Sequence, residues 1–450
     1  MDGLPLPRRY GAIAAIALGI IVAVLDGTIA NVALPTIANE LQASPAESIW
    51  IINAYQLAII VSLLSFSFLG DLLGYRRIYQ GGLLLFSATS LLCAFSDSLA
   101  MLTFARIMQG FGGAALMSVN TALIRIIYPQ RHLGRGMAIN ALIVAVSSAA
   151  GPTVAAAILA VASWKWLFLI NVPAGLLALL LAWRFLPENT QKSQAQRFDV
   201  LSAIMNALTF GLLLSALSGA AQGQDYRIIV AELLALLVIG TLFIRRQLRL
   251  PVPLLPVDLL RIPIFSLSIC TSVCSFLAQM LAMVSLPFFL QSVLGRSEVE
   301  TGLLLTPWPL ATMIMSPIAG RLLERFHAGL LGGIGLAIFA VGLFALAWLP
   351  ISPSDGDIIW RMVLCGAGFG LFQSPNNHTI ISAAPRHRSG GASGMLGTAR
   401  LLGQTSGAAL VALMFNLFDT HGTHASLLLA GLFSSVAALF SLSRMRQPPQ

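Results

Sequence analysis

The sequence predicts an all-α membrane protein: fourteen transmembrane helices in two six-helix bundles, with a helix pair inserted between them. Three observations lead there. Hydrophobic residues make up 57% of the 450 positions and charged residues 10%, whereas an ordinary soluble domain is roughly 25% charged. Apolar runs of about twenty residues, the length that crosses a bilayer as a helix, recur along the chain between short charged clusters. Basic residues fall mainly in every second loop, the bias that orients membrane helices. The mean hydropathy of +0.86 agrees. A soluble enzyme, a nucleic-acid binder and a disordered chain are excluded, and the net charge of +9 reads as a marker of topology.

The spans are bounded in order by charges, Pro and Gly at their ends. Span 1, near 10–35, begins after Arg8 and Arg9. Spans 2 and 3, near 48–70 and 78–97, flank the turn Gly70-Asp71-Leu72-Leu73-Gly74-Tyr75-Arg76-Arg77. Span 4, near 100–124, carries Arg106 about six residues in, and span 5, near 136–160, is interrupted by Gly151-Pro152. Span 6 starts at Lys165 and ends near 187. Spans 7 and 8, near 199–220 and 227–246, form the inserted pair, with Glu232 near one end. Span 9, near 264–292, holds Cys270 and Cys274. Spans 10 and 11, near 300–322 and 329–350, flank Gly320-Arg321-Leu322-Leu323-Glu324-Arg325. Span 12, near 357–382, contains Gln373-Ser374-Pro375-Asn376-Asn377-His378. Span 13, near 390–416, contains Arg400, and span 14 lies near 424–444. These runs are apolar on all sides and lack the alternation of a membrane β-barrel.

Of 26 Lys and Arg, twenty lie on one side of this topology; Lys165, Arg227, Arg296 and Arg361 lie on the other, and Arg106 and Arg400 lie inside spans. The basic side is expected to be cytoplasmic, with both termini there, in the inner membrane of a bacterium. The first apolar run continues into the next loop without a cleavage site, so no cleavable signal peptide is expected. The four cysteines, all within spans, read as small packing residues, and no metal site is expected.

The chain repeats itself at an offset of eight spans. Gly70-Asp71-Leu72-Leu73 and Gly320-Arg321-Leu322-Leu323 share Gly-x-Leu-Leu, and Gly136-Met137 and Gly394-Met395 each open a run of small residues. The expected domains are 1–190, 191–262 for the inserted pair with its linkers, and 263–450. Parallel six-helix halves are one architecture of transporters.

Several of these segments resemble the motifs of the major facilitator superfamily, in its fourteen-helix drug:proton antiporter branch. Leu25-Asp26-Gly27-Thr28-Ile29-Ala30-Asn31-Val32-Ala33-Leu34-Pro35 resembles the first-helix motif of that branch, and Gly70 to Arg77 the superfamily's loop motif. Arg106-Ile107-Met108-Gln109-Gly110-Phe111-Gly112 resembles the fourth-helix motif, and Gly151-Pro152 the core of the antiporter motif. Two departures stand out. Ala155-Ala156 replaces the usual Gly-Gly, and span 10 has no embedded acid of the kind some relatives use for divalent cationic drugs. The resemblance implies the major facilitator fold and export of drug-like compounds in exchange for protons.

The residues themselves narrow the chemistry. A primary pump in this chain would need a phosphate-cradling Gly-rich loop ending in Lys; neither Lys165 nor Lys192 follows a Gly. The expected energy source is therefore the proton gradient, with no cofactor and no enzymatic activity. A charge at a helix centre costs about 2.5–3.5 kcal/mol on the insertion scale, which singles out Asp26, roughly 12 Å deep in span 1 at 1.5 Å per residue. Asp26 is expected to take the proton and the cationic cargo; the other reading is a structural acid held by Thr28, Asn31 or a neighbouring helix. Arg106 lies at a matching depth, and an Asp26–Arg106 interaction that breaks as the acid titrates is expected, with Gln109 one turn on. The competing role for Arg106 is to pin backbone carbonyls.

Arg400 has no embedded acid in its half, and its expected partners are Gln404, carbonyls or an anionic substrate group. Glu232 reads as a boundary residue. Gly70, Asp71, Gly74, Arg76 and Arg77 form a tight charged turn that the resemblance makes a gate; the bland reading is a charged stop between spans. Gly151 and Pro152 bend span 5, a bend the resemblance links to exchange. Gly110, Gly112, Gly113, Gly366, Gly368 and Gly370 are small faces for close helix approach. Gln373, Asn376 and Asn377, with Asn31, Gln404, Phe288 and Trp308, are candidates for a substrate cavity; fraying of the span end and ordinary packing are the alternatives.

The expected function is proton-coupled efflux of lipophilic, cationic small molecules by alternating access, with protons, cargo and the lipid bilayer as partners, no nucleic acid and no obligate protein partner. Two alternatives stay open: transport of an anionic metabolite, and a non-transporting channel or sensor on the same fold.

Overall fold

The computed structural model describes all residues except 1–2, 130–132, 189–198, 222, 251–252, 254, 256, 324, 351–352, 385–388, 419–420 and 447–450. Fourteen long helical segments occur among the described residues: α1 (Leu6–Glu40), α2 (Trp50–Leu73), α3 (Tyr75–Ala94), α4 (Leu99–Ile127), α5 (Leu133–Leu159), α6 (Lys165–Phe185), α7 (Val200–Ala221), α8 (Tyr226–Gln247), α9 (Pro263–Phe288), α10 (Glu298–Leu322), α11 (Ala328–Ala347), α12 (Asp355–Ala383), α13 (Ser389–Phe418) and α14 (Gly422–Ser443). Twelve are long and apolar enough to cross a membrane by length and composition. The other two are α3, which opens on Arg76 and Arg77, and α12, which carries Asp355, Asp357, Arg361 and a row of amides.

Starts are marked by side-chain caps. Ser98 accepts from the Met101 amide at α4, and Ser354 from the Asp357 amide at α12. A reciprocal Ser297–Glu300 box opens α10, satisfying amides that the first turn leaves without partners. Prolines do not end helices here. Pro35, Pro152, Pro287, Pro317 and Pro375 all lie inside them, which neighbouring membrane helices make tolerable. For this reason α1 outruns the 10–35 span expected from sequence and reaches Glu40. Just after Pro287, α9 ends in a π turn over Phe289–Val293.

The chain forms two compact units, Met1–Ala43 with Trp50–Ala207, and Ser44–Ile49 with Leu208–Gln450. In the first, α1 packs on α5 and α6, α6 on α3, α3 on α4, and α4 on α2. In the second, α9 packs on α13 and α14, α14 on α11, α11 on α12, and α12 on α10. Adding eight to every label of the first series yields the second, so both six-helix bundles have one packing order.

The repeat extends to single glycines. A Cβ on Gly112 of α4 would lie 2.8 Å from the Phe86 amide nitrogen and 3.0 Å from the Gly82 carbonyl of α3. A Cβ on Gly368 of α12 would lie 2.5 Å from the Phe339 nitrogen and 2.6 Å from the Gly335 carbonyl of α11. Gly110 likewise abuts Tyr55 and Ala58 of α2, and Gly366 abuts Trp308 and Ala311 of α10. Small residues let helix backbones approach this closely, which supplies the packing that lipid cannot.

The inserted pair is looser. Asn206 of α7 donates to the Val61 carbonyl of α2 at 3.2 Å, and Ser215 donates to Glu232 of α8 at 2.6 Å. Only Phe243 and Gln247 of α8 are buried.

Candidate functional site

Five helices of the first unit converge on Asp26. From α4, one turn apart, come Arg106 and Gln109, both on the helix face that Gly110 and Gly112 hold tight against α2 and α3. Arg106 Nη1 donates to Asp26 Oδ2 at 2.5 Å, and the two side chains are each 1% exposed. Gln109 Nε2 donates to Asp26 Oδ1 at 3.0 Å and to Ser90 Oγ of α3 at 2.8 Å. Its Oε1 accepts from Arg106 at 2.6 Å. Asn171, near the start of α6, donates to Asp26 Oδ1 at 2.8 Å. From α2, the Ile51 carbonyl accepts from Arg106 Nε at 3.1 Å, and the Tyr55 ring lies 4.1 Å from the guanidinium carbon.

The cluster is net neutral. Every Asp26 oxygen accepts at least one hydrogen bond, and the arginine donates along three directions, so the desolvated charges are matched as buried ions must be. Without its Asp26 partner, Arg106 would keep its bonds to Gln109 and the Ile51 carbonyl. A cationic cargo reaching Asp26 would have to displace Arg106.

The structure brings together Asp26, Arg106 and Gln109. Asn31, one and a half turns along α1, is outside the cluster, and its buried Oδ1 has no hydrogen-bond partner among the described residues. Gly151 of α5 meets α1 at Thr28, where a Cβ would overlap the Thr28 hydroxyl. Pro152 is buried beside it. The Gly151–Pro152 step of α5 is thus seated against α1 two residues from Asp26.

At the α2–α3 turn, Gly74 has φ of 103°, a conformation that favours glycine. Gly70 has no room for a Cβ beside Tyr75 and Val119. Arg76 pairs with Glu188 at 3.4 Å and donates to the Trp183 carbonyl at 2.5 Å, bracing α3 against the end of α6. Arg77 is exposed, and the Asp71 side chain lies outside the described residues.

In the second unit the amides divide. Asn376, expected at a cavity, is instead fully buried. Its Oδ1 accepts from Arg444 Nη1 at 2.8 Å and its Nδ2 donates to Ser272 Oγ at 2.7 Å. Arg444 also donates to Ser268 Oγ at 2.9 Å and to Ser441. This arginine, read from sequence as a loop marker, is 1% exposed and ties α14 to α9 and α12. Gln373 and Asn377 are half-buried.

Trp308 and Phe288, expected as cavity walls, are packing residues here. Trp308 meets Phe339 edge-on at 5.4 Å and Phe288 meets Phe415 at 5.2 Å. Arg400 and Gln404 lie one turn apart on α13, both partly buried. The Arg400 Nε has no hydrogen-bond partner among the described residues, and its guanidinium carbon lies 5.9 Å from the Phe276 ring.

Sequence reasoning missed Asn171, Ser90, Tyr55 and the buried state of Arg444. The first three are neutral and carry no insertion cost large enough to single them out. Arg444 sits at a helix end, where basic residues are common.

The family model of the Major Facilitator Superfamily matches residues 16–408. The chain is 73% identical to the uncharacterized transporter YebQ of Escherichia coli over 99% of its length and 98% of that protein's. It is 28% identical to the riboflavin transporter RibZ of Clostridioides difficile, covering 91% of this chain and 89% of that one. With the multidrug efflux pump LfrA of Mycolicibacterium smegmatis it shares 32% identity over 91% and 82% of the two chains. A crystal structure of a bacterial homolog of the human lysosomal transporter Spinster superposes with a TM-score of 0.72 at 16% identity, over 98% of both chains, a likeness of fold alone.

Proposed function

Because the chain belongs to the Major Facilitator Superfamily and is a multi-pass membrane transporter, we propose that it exports lipophilic organic compounds in exchange for protons, by alternating access. Asp26 is the proton acceptor in this reading. The observation that carries it is the sealed Asp26–Arg106–Gln109–Asn171 cluster, a titratable acid inside the bilayer whose counter-charge is on another helix. Protonation removes the α1–α4 ion pair and leaves Arg106 on neutral acceptors; deprotonation restores it. A proton is thereby converted into a change in how α1 is held, next to the Gly151–Thr28 seat of α5. The multidrug pump among the relatives supports drug-like cargo, and the riboflavin transporter supports planar aromatic cargo with polar edges. The basic-rich side is cytoplasmic in this reading, with both termini there in the inner membrane, and Gly70, Asp71, Gly74, Arg76 and Arg77 form the gate turn.

The test is flux of a dye panel, ethidium and fluorescein among it, in proteoliposomes with and without an imposed pH gradient. Gradient-driven flux of at least one dye is expected, together with its loss in Asp26→Asn at unchanged membrane incorporation. Full gradient-driven exchange by Asp26→Asn overturns the assignment of Asp26.

A further inference from the structure

We propose that Arg400, Phe276 and Gln404 form a recognition site for planar aromatic compounds bearing an anionic edge, such as an aromatic carboxylate. The inference deepens the export reading by naming a cargo class, and it rests on that reading. Its starting point is charge. The embedded acid of the first unit is already paired with Arg106, so that cluster presents no net charge. In α9–α14 the acids of the helices lie, among the described residues, in the first turns of α10 and α12, at Glu298, Glu300, Asp355 and Asp357. Arg400 is the twelfth residue of α13, roughly 16 Å along it at 1.5 Å per residue. A cation at such depth is costly and marks a functional position by default.

The helix face that carries this arginine is closely packed. Gly403 and Gly407 share its helix face, and a Cβ on them would lie 2.5 Å from the Val273 carbonyl and 2.6 Å from the Leu277 carbonyl of α9. Backbone thus meets backbone on the face that carries Arg400, whose guanidinium carbon lies 5.9 Å from the Phe276 ring. Phe276 in turn is locked edge-on against Phe369 at 5.5 Å, and Phe369 against Phe339 at 5.5 Å. A guanidinium facing an aromatic ring, with a buried Nε–H that has no acceptor among the described residues, has two needs. A planar anion supplies both: two oxygens for the fork of Nε and Nη donors, and a second aromatic face for the guanidinium, Phe276 itself being only 3% exposed. Gln404, one turn on, adds an amide for a neighbouring carbonyl or hydroxyl.

The experiment uses the full-length protein in detergent and two dyes on one xanthene skeleton: fluorescein, an anion, and the ethyl ester of rhodamine, a cation. Fluorescence polarisation is expected to show tighter binding of fluorescein than of the cationic ester. Arg400→Gln is expected to weaken fluorescein about ten-fold or more, the loss of one charge-assisted contact, and to leave the cationic ester unchanged or tighter. Arg400→Lys, which keeps charge but not the fork, should fall between, and thermal melting of each variant reads folding separately. Preference of the unmodified protein for the cationic ester, absence of fluorescein binding, or equal loss of both dyes overturns the proposal. Gradient-driven flux of the cationic ester alone would leave the exporter reading standing while this one fell. Fluorescein binding lost in Arg400→Gln, with no gradient-driven flux of any dye, would do the reverse.

Discussion

At the scale of the residue, the question is what the Asp26–Arg106 pair contributes to stability. A buried ion pair is expensive to form and more expensive to halve. The second bundle offers a comparison inside the same molecule. Its equivalents of Gly110 and Gly112 are Gly366 and Gly368, so the position matching Arg106 is Met362 and the one matching Gln109 is Cys365, both fully buried. One packing scheme therefore accepts either a charged cluster or an apolar one. Arg106→Met alone, which strands a buried carboxylate, should cost about 3–5 kcal/mol and lower the melting temperature in detergent clearly. Arg106→Met combined with Asp26→Leu should melt within a few degrees of the unmodified protein and show no gradient-driven flux. A double variant melting no higher than the single one would show that the pair is needed for the fold itself. Asn171→Ala removes a bond to a charged group, worth about 1.5–3 kcal/mol, and should shift the pH dependence of flux while flux persists. Legibility at this scale tracked cost. Asp26, Arg106 and Arg400 stood out because a charge in hydrocarbon needs a reason. Asn171 did not, because an amide near the start of α6 is cheap, and Asn376 was misplaced because nothing in its own neighbourhood of sequence points to Arg444.

At the scale of the element, packing depends on where a side chain is missing. The Gly112 and Gly368 notches face backbone, which cannot rotate away, and the second is tighter. Overpacking costs typically about 1–3 kcal/mol, so Gly368→Ala should lower the melting temperature more than Gly112→Ala. An equal or reversed order would show that the helices slide apart freely. Gly151→Ala pushes on Thr28, whose hydroxyl is already bonded to the Val24 and Leu25 carbonyls of α1. It should slow flux more than it lowers stability, as read by rates and melting together. Helix number and order were readable from apolar length and charge spacing. Ends were less so: Pro35 looked like a terminator, yet α1 runs on to Glu40, since bilayer and neighbouring helices tolerate a missing amide that water would punish.

At the scale of the whole molecule, the two bundles share one packing order while their chemistry differs. The first bundle concentrates its embedded charge in a paired cluster, and the second leaves Arg400 without a counter-ion among the described residues. The inserted α7–α8 pair belongs to neither series, and α8 buries only Phe243 and Gln247. Removing an even number of spans keeps the orientation of every later helix. Excising residues 199–250 should therefore leave a protein that enters the membrane and melts as a cooperative unit, measurable by detergent solubility and thermal melting. Aggregation of that variant would assign the pair a part in folding.

The separation of Asp26 from Arg106 has a consequence for how the protein is made. The partners are 80 residues apart in the chain, and at translation rates of about 5–20 residues per second the arginine emerges roughly 4–16 seconds after the acid. Through that interval the first helix must enter the bilayer with an uncompensated carboxyl group, and neither α5 nor α6, its packing neighbours, has yet been synthesised. Its 35-residue length and the unbroken apolar stretch ahead of Asp26 supply the hydrophobic drive for that entry. Biogenesis, as well as transport, thus constrains how polar the first helix can become around its acid.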